Sequence, residues 1–125
     1  MKRLSEIEIN GIKYPLNFSI KAGRLIAEKY GSLEGALKDL DTDKTDVETF
    51  DKMIFIVETM MEQGQEYMKL SGKESPTPLS KDEMEVFLDF NDTGYLMSCV
   101  VSGTVAGSEQ EVETEDPNEK TTQAK

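Results

Sequence analysis

Ser5-Glu6-Ile7-Glu8-Ile9-Asn10-Gly11-Ile12-Lys13-Tyr14-Pro15-Leu16 decides the fold. Asn10-Gly11 is the pair favoured by a two-residue type I′ turn, whose two central positions both need positive φ. The register is then fixed: Ile9 opposite Ile12, Ile7 opposite Tyr14 and Ser5 opposite Leu16, which gathers the apolar side chains on one face. On the other face Glu8 meets Lys13 as an opposite-charge pair. Pro15 falls opposite Glu6 at a non-hydrogen-bonded site, so its missing N–H points away from the partner strand. A two-stranded ribbon is marginal alone, and its Ile/Tyr/Leu face must pack on something.

The partner comes next in the chain. Ser19 is a good N-cap, and Ile20, Ala22, Leu25, Ile26, Ala27 and Tyr30 form a helical stripe that stops at Gly31. Ser32 can cap a second short helix that places Leu33, Ala36, Leu37 and Leu40 on one side. Thr45-Asp46-Val47-Glu48 fits a capping box that opens a long helix to about Ser71. Pro76 and Pro78 break the chain, and Leu79-Ser80-Lys81-Asp82-Glu83-Met84 restarts it with a second capping box and a Leu79–Met84 staple. That helix is read through Val86, Phe87, Leu88 and Phe90. Asn91 or Asp92 then caps a last helix from about Thr93 to Gly103. β-Branched Val100, Val101, Thr104 and Val105 would also suit a strand, but strict alternation is absent and the helix is preferred. The expected fold is α+β: a mostly helical domain over residues 1–107 with an N-terminal two-stranded hairpin.

Composition narrows the function. The chain of 125 residues carries 25 acidic and 14 basic side chains for a net charge of −11. Six of the acids (Glu109, Glu111, Glu113, Glu115, Asp116, Glu119) lie between Ser108 and Lys125 against two lysines, with only Val112 and Ala124 apolar. Such a segment cannot bury enough surface to offset the entropy of ordering it, so residues 108–125 read as a disordered acidic tail. The acidic balance and the lack of a Lys/Arg cluster argue against nucleic-acid binding. No run approaches the roughly 20 apolar residues of a membrane span, and Ser5, Glu6 and Glu8 interrupt any signal-like region after Met1-Lys2-Arg3. The chain has no histidine, which removes the commonest general base and rules out Ser/His and Cys/His catalysis within one chain. Its single Cys99 sits in the apolar run Tyr95–Val101 and reads as a buried structural thiol in a reducing compartment.

Chemical motifs fail on spacing. A calcium loop starting at Asp41 would put Asp46 where glycine is needed and Lys52 at the bidentate acid; one starting at Asp39 would put Lys44 and Phe50 there. Gly72-Lys73 resembles the end of a phosphate loop, but Tyr67 and Glu74 occupy the glycine and hydroxyl positions. Carboxylate pairs such as Glu6/Glu8 and Glu83/Glu85 mark solvated faces in so acidic a chain. No catalytic, cofactor or metal residue is assigned.

The order Ile7-x-x-Asn10-Gly11-x-x-Tyr14-x-Leu16, then Phe18 and a helix, then Tyr30-Gly31-Ser32-Leu33 and a short helix, resembles the tail assembly chaperones of long-tailed, siphovirus-like phages and prophages. The resemblance covers about residues 4–40, and the remainder in helix order alone. It implies a non-catalytic protein of the host cytoplasm, without cofactor, that coats the phage tape measure protein and helps recruit tail tube subunits. Such a protein leaves before the virion is finished. The family also implies a ring or other homo-oligomer, and often a longer form made by ribosomal frameshifting near the end of the shorter one.

In the long helix Val47, Phe50, Ile54, Val57, Met61, Gly64 and Met68 recur at alternate spacings of three and four, while Met53, Phe55, Ile56 and Met60 widen the stripe. Two readings stand side by side: a central core helix, or an interface whose flexible methionines adapt to a partner. On the second, Phe50, Met53, Val57, Met60, Met61 and Met68 are the candidate partner-binding residues. The function expected is that of a tail assembly chaperone binding the tape measure and tube proteins, with no membrane or nucleic-acid partner. The alternative is a small acidic DNA mimic that inhibits a nucleic-acid-acting host protein, which would need carboxylates in rows at phosphate-like spacing on folded faces.

Overall fold

In the computed structural model, residues 4–38, 40 and 47–115 are described, with side chains as far as Val105. The chain runs β1 (Ser5–Ile9), β2 (Ile12–Leu16), α1 (Ile20–Tyr30), α2 (Leu33–Lys38), α3 (Val47–Leu70), α4 (Lys81–Phe87), a 3₁₀ turn (Phe90–Asp92) and α5 (Thr93–Glu115). This is an α+β fold, mostly helical, with the hairpin at its N-terminus. The strands pair antiparallel in the register the turn dictates, from Ile9–Ile12 to Ser5–Leu16. Asn10 and Gly11 hold φ of 54° and 80°, as a type I′ turn requires. Ile7, Ile9, Tyr14 and Leu16 are buried on one face, although Ile12, beside the turn, is half exposed.

Helices close both edges of this ribbon. At non-hydrogen-bonded pairs the backbone groups point outward, and on β2 they meet α3. The Asn17 N–H donates to the Met60 carbonyl at 3.0 Å, and the Pro15 carbonyl lies so close to Gly64 that a Cβ there would overlap it. On β1 they meet α5, where the Glu8 N–H donates to the Tyr95 hydroxyl at 2.8 Å and the Cys99 thiol approaches the Glu6 carbonyl at 3.8 Å. Gly103 then faces Ser5 and the Met60 sulfur. Each helix runs antiparallel to its strand, a four-residue helical step of about 6 Å matching a two-residue strand step of about 6.7 Å.

α1 and α4 pack on α3, and α2 packs on α1. Ser19 caps α1 by accepting the Ala22 N–H at 3.0 Å and donates to Gln63 Oε1 of α3 at 2.8 Å. Ala22 and Ile26 are the buried stripe of α1, whereas Ile20, at 84% exposure, falls outside it, being the first helical residue and ahead of the packed turn. Tyr30 stands edge-on to Phe55 of α3 at 5.7 Å, with the Lys29 ammonium over the Phe55 ring and that of Lys52 over Tyr30. Both halves of the Ser80–Glu83 capping box are formed. The start of α4 is held to α3 by Lys81 N–H donating to Glu58 Oε2 at 2.9 Å and Leu79 N–H to Met61 Sδ at 3.2 Å.

Three expected boundaries shift. α4 ends at Phe87, because the backbone turns extended at Leu88. Asp89, not Asn91 or Asp92, caps the 3₁₀ turn that leads into α5: its Oδ1 accepts the Asn91 N–H at 2.7 Å while Asp92 Oδ2 accepts the Asp89 N–H at 2.9 Å. α5 continues past Gly103 to Glu115; glycine ends a helix where it can turn to positive φ, and Gly103 is instead taken up by contact with Met60. The helical backbone thus enters the stretch from Ser108 expected to be a tail. The Thr45 cap and residues 116–125 lie outside the described residues.

The glycines yield a paired expectation. Gly64→Ala gains about 1 kcal/mol of helix propensity but drives a methyl into backbone that cannot move without the strand, costing about 3 kcal/mol. Urea unfolding will show a net loss of about 2 kcal/mol. At Gly103 the obstructing atoms are the end of the flexible Met60 side chain, so Gly103→Ala will change stability by less than about 1 kcal/mol.

Candidate functional site

Of the six residues expected to bind a partner, Met53, Val57, Met60 and Met61 are buried in the core, in one cluster with Ile7, Leu16, Ile26, Met84 and Leu96. The wide apolar stripe of α3 has a simple cause: β2, α1, α4 and α5 all pack on this one helix. In this conformation those four side chains form no surface. Phe50 and Met68 are half-buried and remain accessible.

Among the described residues, accessible apolar side chains line two grooves elsewhere on the molecule. The first, of about 380 Å³, runs between the start of α3 and the segment that leaves α4. Its floor is Val47, Phe50, Leu88 and Phe90, and its rim is Asp51, Glu85 and Asp89. Val47 is 68% and Phe90 64% exposed, and the Phe50 and Phe90 rings meet at 5.5 Å, tilted by 57°. Phe90 is thrown outward by the Asp89-capped 3₁₀ turn, since the extended backbone at Leu88 breaks the helical register. The second groove, of about 440 Å³, lies between α2 and α5, with Leu37, Leu40, Met97, Val100 and Val101 apolar and Glu34 and Lys38 of opposite charge at its margin. Neither groove is evident from the sequence. The available signal is Val86-Phe87-Leu88-Asp89-Phe90, which holds more large apolar residues than a helix burying only Met84 can hide.

Among the described residues no three His, Cys, Asp or Glu side chains stand together as metal ligands, and no helix is long and apolar enough to cross a membrane. Lys81 bridges Asp51 and Glu85 loosely, at 3.8 and 3.9 Å, all three side chains being well exposed, so these pairs add little stability. Burial pushes the Cys99 thiol above its ordinary range, outweighing its hydrogen bonds with Tyr95 and Ser98, which suits packing and not nucleophilic attack. Partial burial, then the charge of Glu58 one turn away, raises Glu62. No protein-family model, curated protein or solved structure matches the chain.

Cys99 and Glu62 each give a measurable expectation. Cys99 will react with a thiol reagent only as fast as the domain opens, so labelling in native buffer will be slow and will accelerate with urea in step with unfolding. Because the folded state holds the Glu62 proton more tightly than the unfolded chain, Glu62 detracts from stability above its raised value and not below the ordinary 4.5. Glu62→Gln will therefore stabilise by about 0.3 kcal/mol at neutral pH, a gain that disappears in thermal melts at about pH 3.5.

Proposed function

We propose that the chain is a non-catalytic tail assembly chaperone that acts in the host cytoplasm, binding a phage tape measure protein and helping to recruit tail tube subunits, and that is absent from the finished virion. The observation that carries this reading is the combination of accessible apolar grooves with a strongly acidic chain. A tape measure protein is long, helical and prone to aggregate. A soluble coat that offers apolar contacts on one side and negative charge to solvent would keep it dispersed until tube subunits take over. The hairpin-and-helix order of residues 4–40 supports the same assignment, and the lack of histidine supports a binding role over a catalytic one. The DNA-mimic alternative calls for rows of carboxylates on a folded face; Asp51, Glu85 and Asp89 instead rim an apolar floor.

Co-expression with a tape measure fragment encoded in the same genome tests the proposal. The fragment, insoluble alone, will remain soluble and co-purify with the chain. If it precipitates whether or not the chain is present, or if the chain turns over a substrate, the reading falls.

A further inference from the structure

We infer that the groove between α3 and α4 is a docking site for an apolar helix flanked by arginine or lysine. The floor and rim argue the occupant together. Two phenylalanine rings and two aliphatic side chains offer anchoring contacts, and a volume near 380 Å³ has room for a few side chains but is at the low end for a small-molecule site. All charged residues of the lining, Asp51, Glu85 and Asp89, are acidic. Lys81 meets two of them only at 3.8 Å or more, so the rim retains negative charge. Asp89 is fixed by its cap on the 3₁₀ turn, which preorganises both that carboxylate and the Phe90 ring beside it. A second copy of this chain is a poor occupant, because two molecules of charge −11 repel. A partner helix with an aromatic or aliphatic anchor and a guanidinium on each side satisfies both elements: the anchor seats against the Phe50–Phe90 pair, and the cations lie over the rings or against the rim carboxylates. The α2–α5 groove, rimmed by one acid and one base, has no such polarity.

The inference deepens the proposed chaperone role and rests on it only for whose helix is bound. Peptide binding by the purified full-length chain tests the groove, while co-purification tests the partner's identity, so either can fail alone. The probe is a fluorescent amphipathic peptide of about 18 residues, with a Leu/Phe stripe flanked by arginines, long enough to hold a helix when bound. It will bind saturably, and more weakly as salt rises. Phe90→Ser will weaken it by about tenfold or more, as expected for a central aromatic anchor. Asp51→Asn with Glu85→Gln will also weaken it and flatten the salt dependence. Val86→Ser, at a residue 80% exposed on α4 but outside the groove, will leave binding unchanged, and urea midpoints will confirm that each variant is folded. The inference is overturned if a peptide with glutamates in place of the arginines binds equally well, or if binding ignores both groove variants. It is equally overturned if the peptide fails to bind while Phe90→Ser abolishes self-association of the chain, which would assign the face to a second copy.

Discussion

A two-stranded ribbon offers two rows of unpaired backbone groups, and the two long helices of this domain are placed to cover them. α3 takes one edge and α5 the other, using the same match of four helical residues with two strand residues. The chemistry of the two contacts differs. On the β2 side the approach is backbone to backbone: Pro15 has no N–H to leave unpaired, Gly64 has no side chain to hold the helix off, and Asn17 closes the row on the Met60 carbonyl. On the β1 side the approach is through side chains, the Tyr95 hydroxyl and Cys99 thiol reaching Glu8 and Glu6. The stiff contact sets the distance and the flexible one adapts to it. Met60 carries both, its carbonyl accepting from Asn17 and its sulfur filling the space at Gly103 where α5 crosses.

Much of this is legible in the residues because the signals are local and polar. Asn10-Gly11 determines the turn, the turn determines the register, and the register identifies which Pro15 group faces outward. Ser19 and the Ser80–Glu83 box mark helix starts by satisfying orphan N–H groups whatever the rest of the chain does. The parts that cannot be read this way depend on partners distant in sequence. A stripe of Met53, Val57, Met60 and Met61 has one periodicity whether the surface it meets is in the same molecule or another, and only the convergence of four elements on α3 separates the two cases. Gly103 carries the same ambiguity: glycine ends a helix or permits a close crossing, and the neighbour that decides, Met60, is 43 residues away in the chain.

The candidate groove is hidden for a related reason. From Val86 to Phe90 the sequence reads as a continuing helix, and a helix would have spread those side chains around its axis. The break at Leu88 and the reciprocal Asp89–Asp92 cap instead turn Leu88 and Phe90 towards the start of α3. Asp89 competes for the backbone more strongly than the weak propensity of its apolar neighbours can resist, which is how a capping residue overrides a hydrophobic pattern.

Core and candidate docking surface are consequently built from different parts of the same helix. The middle of α3, from Met53 to Gly64, is committed to the ribbon, α1, α4 and α5, and its methionines are adaptable filler around a rigid backbone contact. Its first turn, with Val47 and Phe50, borders the segment after α4 and leaves Val47 exposed, while Phe50 also packs against the core. Exposed apolar groups there contribute little to folding, since they lose little contact with water when the chain folds. Such groups lower solubility and return little to the isolated domain. Under the inferred docking role, this separation lets Phe90 and Val47 vary while the Gly64–Pro15 contact holds the fold unchanged.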